Sequence, residues 1–69
     1  MMQYSFSATV RDASTHRYPT FTLVDAGTDQ EAIHKMAVEH DMRVAELEPD
    51  GVWMEIKDGA LVKYDVSLA

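Results

Sequence analysis

The stretch MQYSFSATV near the N-terminus alternates apolar and polar residues, and no other feature constrains the fold as strongly. A period of two places apolar side chains on one face, which is typical of a strand with one buried side. The polar stretch RDASTHRYP then predicts a hairpin loop, while Pro49-Asp50-Gly51 and Asp58-Gly59 predict turns. Four further stretches have strand character, namely TFTLVDA, RVAELE, VWMEIK and LVKYDVSL.

The segment GTDQEAIHKMAVEHD predicts the helix. Thr28 and Glu31 have the spacing of a capping box, in which each end of the pair satisfies a free backbone donor. Three/four spacing then predicts a sheet-facing stripe of Ala32, Ile33, Met36, Ala37 and His40. We therefore expect one α+β domain over residues 1–69, with an antiparallel sheet of four to five strands, one helix on one face, and the order ββαβββ.

Alternation also predicts which strand residues face the helix and which face solvent. The expected inward set is Met2, Tyr4, Phe6, Ala8, Val10, Phe21, Leu23, Ala45, Leu47, Val52, Met54, Ile56, Val62, Tyr64 and Val66. The expected outward set on the last three strands includes Val44, Glu46, Glu48, Trp53, Glu55, Lys57 and Asp65.

The sequence contains no recognisable set of catalytic residues. It has no cysteine, and its three glycines fall at predicted turns rather than in a phosphate-binding loop. His34 and His40 are six residues apart, which places them on opposite helix faces and excludes the i, i+4 metal pair. We therefore expect a protein that is not an enzyme and that uses no cofactor or metal.

The chain carries a net charge of −6, and the excess lies in its middle third. Residues 25–50 hold eight acids against Lys35 and Arg43. A field of this sign repels nucleic acid and membrane surfaces and attracts basic protein surfaces. No apolar run approaches the roughly 20 residues of a membrane span, and the first residues do not have the pattern of a signal peptide. We expect a monomer in the cytoplasm of a host bacterial cell.

The predicted strands bring several acids to the face that the helix leaves open. Glu46, Glu48, Glu55 and Asp65 form the expected patch, and Trp53 lies among them. Glu39, Asp41 and Asp50 lie near its rim. Neighbours two apart on a strand are about 6.5–7 Å apart, which is similar to the spacing of phosphates along a nucleic-acid strand. Two interpretations remain open, a DNA-mimicking surface and an ordinary solvated face that discourages aggregation. Trp53 is either a cap on the sheet edge or an interface anchor.

The segments TDQEAIHKMA, VAELE, DGVWMEIKDG and VKYDV resemble the small single-domain type I anti-CRISPR proteins of phages and mobile elements. The resemblance implies stoichiometric inhibition of a type I CRISPR-Cas surveillance complex (Cascade). Acidic members mimic DNA on the subunit that binds the target and its PAM. The roles implied here are phosphate surrogates at Glu46, Glu48, Glu55 and Asp65, an anchor at Trp53, and rim charges at Glu39 and Asp41.

A second resemblance implies a different partner. The stretches YSFSATV and YPTFTLVDAGTDQEAIHKMA are similar to the N-terminal domain of HicB-type antitoxins, in which a strand pair leads into a capped helix. Ala26, Gly27, Thr28, Glu31 and Ala32 fit that pattern, whereas the PDLPGC-like stretch of those proteins is absent. This alternative implies an adaptor that binds a basic toxin.

Overall fold

A computed structural model describes residues 1–13 and 16–69, and part of the predicted hairpin loop, residues 14 and 15, lies outside the described residues. The predicted α+β fold is confirmed, with five antiparallel strands and one helix in the order ββαβββ. The elements are β1 (Met2–Arg11), β2 (Phe21–Ala26), α1 (Asp29–Glu39), β3 (Arg43–Glu48), β4 (Gly51–Glu55) and β5 (Leu61–Leu68).

The strand order across the sheet is β2-β1-β5-β4-β3. The first and last strands of the chain therefore pair at the centre, and β2 and β3 form the two edges. Helix α1 connects one edge strand to the other and contacts both of them. It covers one face of the sheet, and we call the opposite face the open face.

The core lies between α1 and the sheet and is built around aromatic side chains of the two central strands. Phe6 and Tyr64 are fully buried and meet edge to face, with ring centroids 6.3 Å apart. The Tyr64 hydroxyl donates a hydrogen bond to the Pro19 carbonyl oxygen at 2.6 Å. The helix contributes the buried residues Ala32, Ile33, Met36 and Ala37, as its spacing predicts, whereas His40 is half-buried and caps the end of the helix.

Both ends of α1 are defined by local hydrogen bonds. The Glu31 N–H donates to Thr28 Oγ1 at 3.1 Å, and Glu31 Oε1 in turn accepts from the Gly27 N–H at 3.3 Å. At the other end, the Met42 N–H donates to the Ala37 carbonyl oxygen at 2.8 Å. Asp41 adopts the left-handed conformation there, with φ of 56°, in a position that usually favours glycine.

The predicted orientation of β2 is wrong. Phe21 and Leu23 are 58% and 46% exposed on the open face, and Val24 and Ala26 are buried instead. Tyr4 lies directly opposite Val24, and residues opposite one another in a sheet share a face. The buried position of Tyr4 therefore turns Val24 inward and Leu23 outward.

A bulge in β3 overturns two further predictions. Val44 lies opposite Met54, and the next pair joins Glu46 to Trp53, so Ala45 has no partner residue on β4. This extra residue places Val44 on the helix side, whereas alternation predicts the open face. Ala45 was expected to face the helix and instead occupies the bulge.

A second irregularity changes the outer half of β1. Ala8 lies opposite Tyr64, but Val10 lies opposite Lys63, which places Val10 on the open face with 47% exposure. Met2, at the other end of the strand, is 44% exposed. The central residues Tyr4 and Phe6 are buried as predicted, so the expected inward stripe is confirmed only in the middle of β1.

Candidate protein-binding face

Three rows of side chains cross the open face over β3, β4 and β5. Because directly opposite Cβ atoms are about 4.5–5.5 Å apart, the members of a row are close neighbours. The rows are Arg43, Glu55 and Leu61; Glu46, Trp53 and Lys63; and Glu48, Gly51 and Asp65. We call these residues, together with Asp41, Asp50 and Lys57 at the rim, the acidic face.

Lys63 organises one end of the acidic face. Its Nζ lies 2.8 Å from Glu48 Oε1 and 3.9 Å from Asp50 Oδ1. The hydrogen bond to Glu48 and the nearby carboxylates of Asp50 and Asp65 raise the pKa of Lys63, although desolvation opposes the shift. Lys63 is therefore a fixed positive charge among these acids at neutral pH.

Gly51 lies between β3 and β5 at the level of this ion pair. A Cβ atom at Gly51 would overlap the backbone carbonyl oxygen of Tyr64. The sequence therefore needs glycine here for the close approach of β4 to β5.

Two ion pairs hold the other end of the face. Arg43 Nη2 lies 2.6 Å from Glu55 Oε1, and Lys57 Nζ lies 3.2 Å from Asp41 Oδ2. These four residues, with Ile56 and Gly59, line a shallow depression of about 330 Å³. The Arg43 and Lys57 side chains are 83% and 69% exposed, so each remains accessible to solvent.

The remaining acids of the face have no cation within ion-pair distance among the described residues. They are Glu46, which lies beside the half-buried Trp53, and Asp65 in the row of Gly51. Six carboxylates and three cations leave the acidic face with three of the six net negative charges of the chain.

The structure brings most of the predicted site residues together. Glu46, Glu48, Trp53, Glu55 and Asp65 share the open face. Asp50 adjoins them through the turn between β3 and β4, and Asp41 joins Glu55 at the depression. Glu39, in contrast, is exposed as the last residue of α1 on the helix side, and no ion pair or hydrogen bond among the described residues joins it to this face.

The sequence analysis did not identify the three cations that pair with these acids, namely Arg43, Lys57 and Lys63. Lys63 lies between Val62 and Tyr64, which are expected to face inward, so alternation alone predicts that Lys63 lies on the open face. The partner of Arg43 was not readable from the sequence, because it depends on the bulge at Ala45.

The described part of the chain holds no group of three or more His, Cys, Asp or Glu side chains arranged to bind a metal ion. Among the described residues, no helix has the length and apolar character to cross a membrane. Comparison of the chain with protein-family models, curated proteins and solved structures found no match.

Proposed function

We propose that this protein is a binding module that presents carboxylates in place of nucleic-acid phosphates to a basic, DNA-binding groove of another protein. The partner class implied by the sequence resemblance is a type I CRISPR surveillance complex, whose target and PAM recognition the bound module blocks. In this role the protein acts by occupancy rather than by turnover.

The observation that carries the proposal is the segregation of charge on one rigid face. Glu46 and Glu48 project from one strand, and Asp65 projects from another two strands away. Strands fix such carboxylates at intervals of about 5–7 Å without further ordering, which reduces the entropy lost on binding. A basic groove that binds a phosphate backbone would therefore meet a similar arrangement of negative charges on the acidic face.

The ion pairs within the face are compatible with this role. Exposed pairs such as Arg43 with Glu55 contribute only about 0–1 kcal/mol, so a guanidinium group of the partner can replace the internal cation at small cost. Lys63 is the exception, because its side chain is only 21% exposed. It holds Glu48 and Asp50 in place, and these acids act as a prearranged pair.

Trp53 supplies an apolar centre for the contact. It lies between Glu46 and Lys63 in the middle row and is half-buried. Tryptophan is enriched at interface hot spots and accepts arginine over its ring. An arginine of the partner would then satisfy a carboxylate and the Trp53 ring together.

The test measures binding of purified protein to an isolated surveillance complex, in competition with a duplex that carries the PAM. Glu46→Lys is expected to weaken binding by about tenfold or more, because it reverses an unpaired charge in the middle row of the face, next to Trp53. Asp25→Lys makes the same charge change at the far edge strand β2 and is the matched control, with an expected effect of less than about threefold. Equal losses in both variants would show that only net charge matters and would exclude mimicry by this face.

The antitoxin-like alternative places a small basic toxin on the same face. The two partners are distinguished by the competitor, because a PAM duplex displaces the protein only from a DNA-binding groove. Binding to a toxin with no effect of the duplex would favour the alternative and overturn the CRISPR assignment.

A further inference from the structure

The outer edge of β2 has backbone groups that point away from the sheet at alternate residues. The Ala8 N–H donates to the Thr20 carbonyl oxygen at 2.9 Å, which directs the even-numbered residues of this segment toward β1. The regular register of β1 with β2 continues that alternation. Phe21, Leu23 and Asp25 therefore direct their N–H and C=O groups outward, beyond the last strand.

Both ends of this edge are closed by contacts within the chain. Lys35 Nζ donates to the Asp25 carbonyl oxygen at 2.8 Å, which occupies the acceptor at one end. At the other end Pro19 has no N–H, and its carbonyl oxygen accepts from the Tyr64 hydroxyl. Among the residues that the structure describes, complete donor and acceptor pairs are thus left at Phe21 and Leu23.

The side chains of this window are also uncovered. Phe21 and Leu23 lie on the open face at 58% and 46% exposure. The residues opposite them on β1 are Ser7 and Ser5, whose short side chains cover little of them. A flat edge with exposed apolar residues attracts another strand unless a bulge, a proline or a charge prevents it.

The other edge of the same sheet has such protection. β3 contains the bulge at Ala45 and carries Arg43, Glu46 and Glu48. The pairing of β2 with β1, in contrast, is regular from Ala26 to Phe21. Only one of the two edges is therefore shaped to accept a strand.

We propose that β2 pairs antiparallel with β2 of a second copy of this chain, around a two-fold axis at Thr22. In this register Phe21 lies opposite Leu23 of the second copy, and the two residues exchange backbone hydrogen bonds and apolar contact. Thr22 faces its own equivalent, a favourable cross-strand pair. Asp25 lies opposite Pro19 of the second copy. The two positions whose backbone groups are already bonded or absent are therefore opposite each other.

The open window of β2 is complementary to itself about Thr22, which favours a second copy as the occupant, and the distribution of charge permits this pairing. Residues 1–24 carry a net charge of +1, whereas the acidic face lies toward the opposite edge. Across a joined sheet, the two β5 strands are five strand spacings apart, about 24 Å. This exceeds the Debye length of about 8 Å at physiological salt, so the acidic faces repel each other weakly.

The test is the mass in solution of the wild type and three variants, by sedimentation equilibrium across a concentration series. Leu23→Pro removes an outward N–H that the pairing with β1 does not use, and Leu23→Lys introduces a charge at the contact. Leu47→Lys makes the same change at a 59% exposed leucine of the other edge strand and is the matched control.

We expect the wild type and Leu47→Lys to dimerise with a Kd of about 1–100 µM, as befits a small interface. Both Leu23 variants are expected to stay monomeric while their circular dichroism and melting remain close to the wild type. A wild type that stays monomeric at hundreds of micromolar overturns the proposal, as does a dimer that persists in Leu23→Pro.

Salt separates this proposal from the function proposed above. The β2 contact is apolar and joins like-charged chains, so higher salt is expected to leave the dimer unchanged or tighter. Binding of a basic partner to the acidic face weakens with salt. The dimer test uses only the purified chain. A monomeric result would leave the proposed function unaffected, and a failure to bind a basic partner would leave the dimer proposal unaffected.

Discussion

Lys63 on β5 reaches across β4 to place its ammonium nitrogen 2.8 Å from a carboxylate oxygen of Glu48 on β3. The pair joins β5 to β3 across β4, on which Trp53 lies opposite Lys63 and Gly51 lies opposite Glu48. One cation therefore both ties the edge strand to the sheet centre and sets the position of two acids, Glu48 and Asp50.

Lys63→Met is expected to lower the melting temperature at neutral pH, because it removes the charge that pairs with Glu48 and Asp50. The pKa of Lys63 is raised above its ordinary value of 10.5 in the folded protein. The stabilisation is thus fully present below 10.5 and is lost as the pH rises through the folded pKa. Melting curves of both proteins between about pH 7 and 12 should converge at the alkaline end. A constant difference over that range would contradict the role of this charge.

Tyr64 is expected to make the fold sensitive to alkali. Burial, with a smaller effect of Tyr18, raises the pKa of Tyr64 from 10.0 to about 12. The folded state holds this proton more tightly, so the free energy of unfolding should fall as the pH rises through that interval. Tyr64→Phe should lose about 1 kcal/mol of stability with the hydrogen bond to Pro19. Its free energy of unfolding should not show this fall at high pH. Urea unfolding at several pH values measures both effects.

The three glycines should differ strongly when each is replaced by alanine. Gly51→Ala is expected to cost about 2 kcal/mol or more, because its Cβ meets the backbone of Tyr64 and cannot be accommodated by a side-chain movement. Gly59 has open space but a φ of 90°, so its replacement costs about 1 kcal/mol. Gly27→Ala should be nearly neutral, because the nearest atom is an ordinary 3.7 Å away. Chemical denaturation of the three variants measures these losses of stability, and a different order of the losses would contradict this account of the three sites.

Asp41→Gly is expected to stabilise the fold while weakening the proposed binding. Glycine relieves the left-handed conformation by about 1 kcal/mol, and the exposed ion pair with Lys57 that is lost contributes less than that. A rise in melting temperature of about 2–4 °C should result. Removal of a rim charge should slow association with a basic partner, which stopped-flow binding measures. Asp41→Asn separates the two effects, because it removes the charge and keeps a side chain.

Trp53 provides a direct optical test of the acidic face, because it is the only tryptophan of the chain. Contact with a partner should shift its emission to shorter wavelength and reduce quenching by acrylamide. Trp53→Ala should weaken binding by about 2 kcal/mol, or roughly 30-fold. Unchanged fluorescence in the complex would indicate that another face binds.

Local sequence patterns were sufficient for the helix and for the existence of each strand. The start of α1 is set by Thr28 and Glu31, which are three residues apart and find each other without the rest of the fold. The parity of Glu46 and Glu48 on β3 and of Asp65 on β5 likewise follows from alternation. For these residues the sequence prediction and the structure agree on the open face.

Features that depend on strand register were not predictable in the same way. TFTLVDA has apolar residues on both faces, and only the position of Val24 opposite Tyr4 decides which are buried. The bulge at Ala45 changes the side on which Val44 lies, and nothing within RVAELE signals it. The exposed Phe21 and Leu23, on which the dimer proposal rests, were for the same reason assigned to the core.

The central position of β1 and β5 has a consequence for how the chain acquires its structure. Tyr4 lies opposite Leu68, so the middle of the sheet joins residues that are far apart in sequence. During synthesis the hairpins of β1 with β2 and β3 with β4 have no common strand until β5 leaves the ribosome. Such distant pairing slows folding, and the two hairpins of the nascent chain share no sheet until β5 arrives.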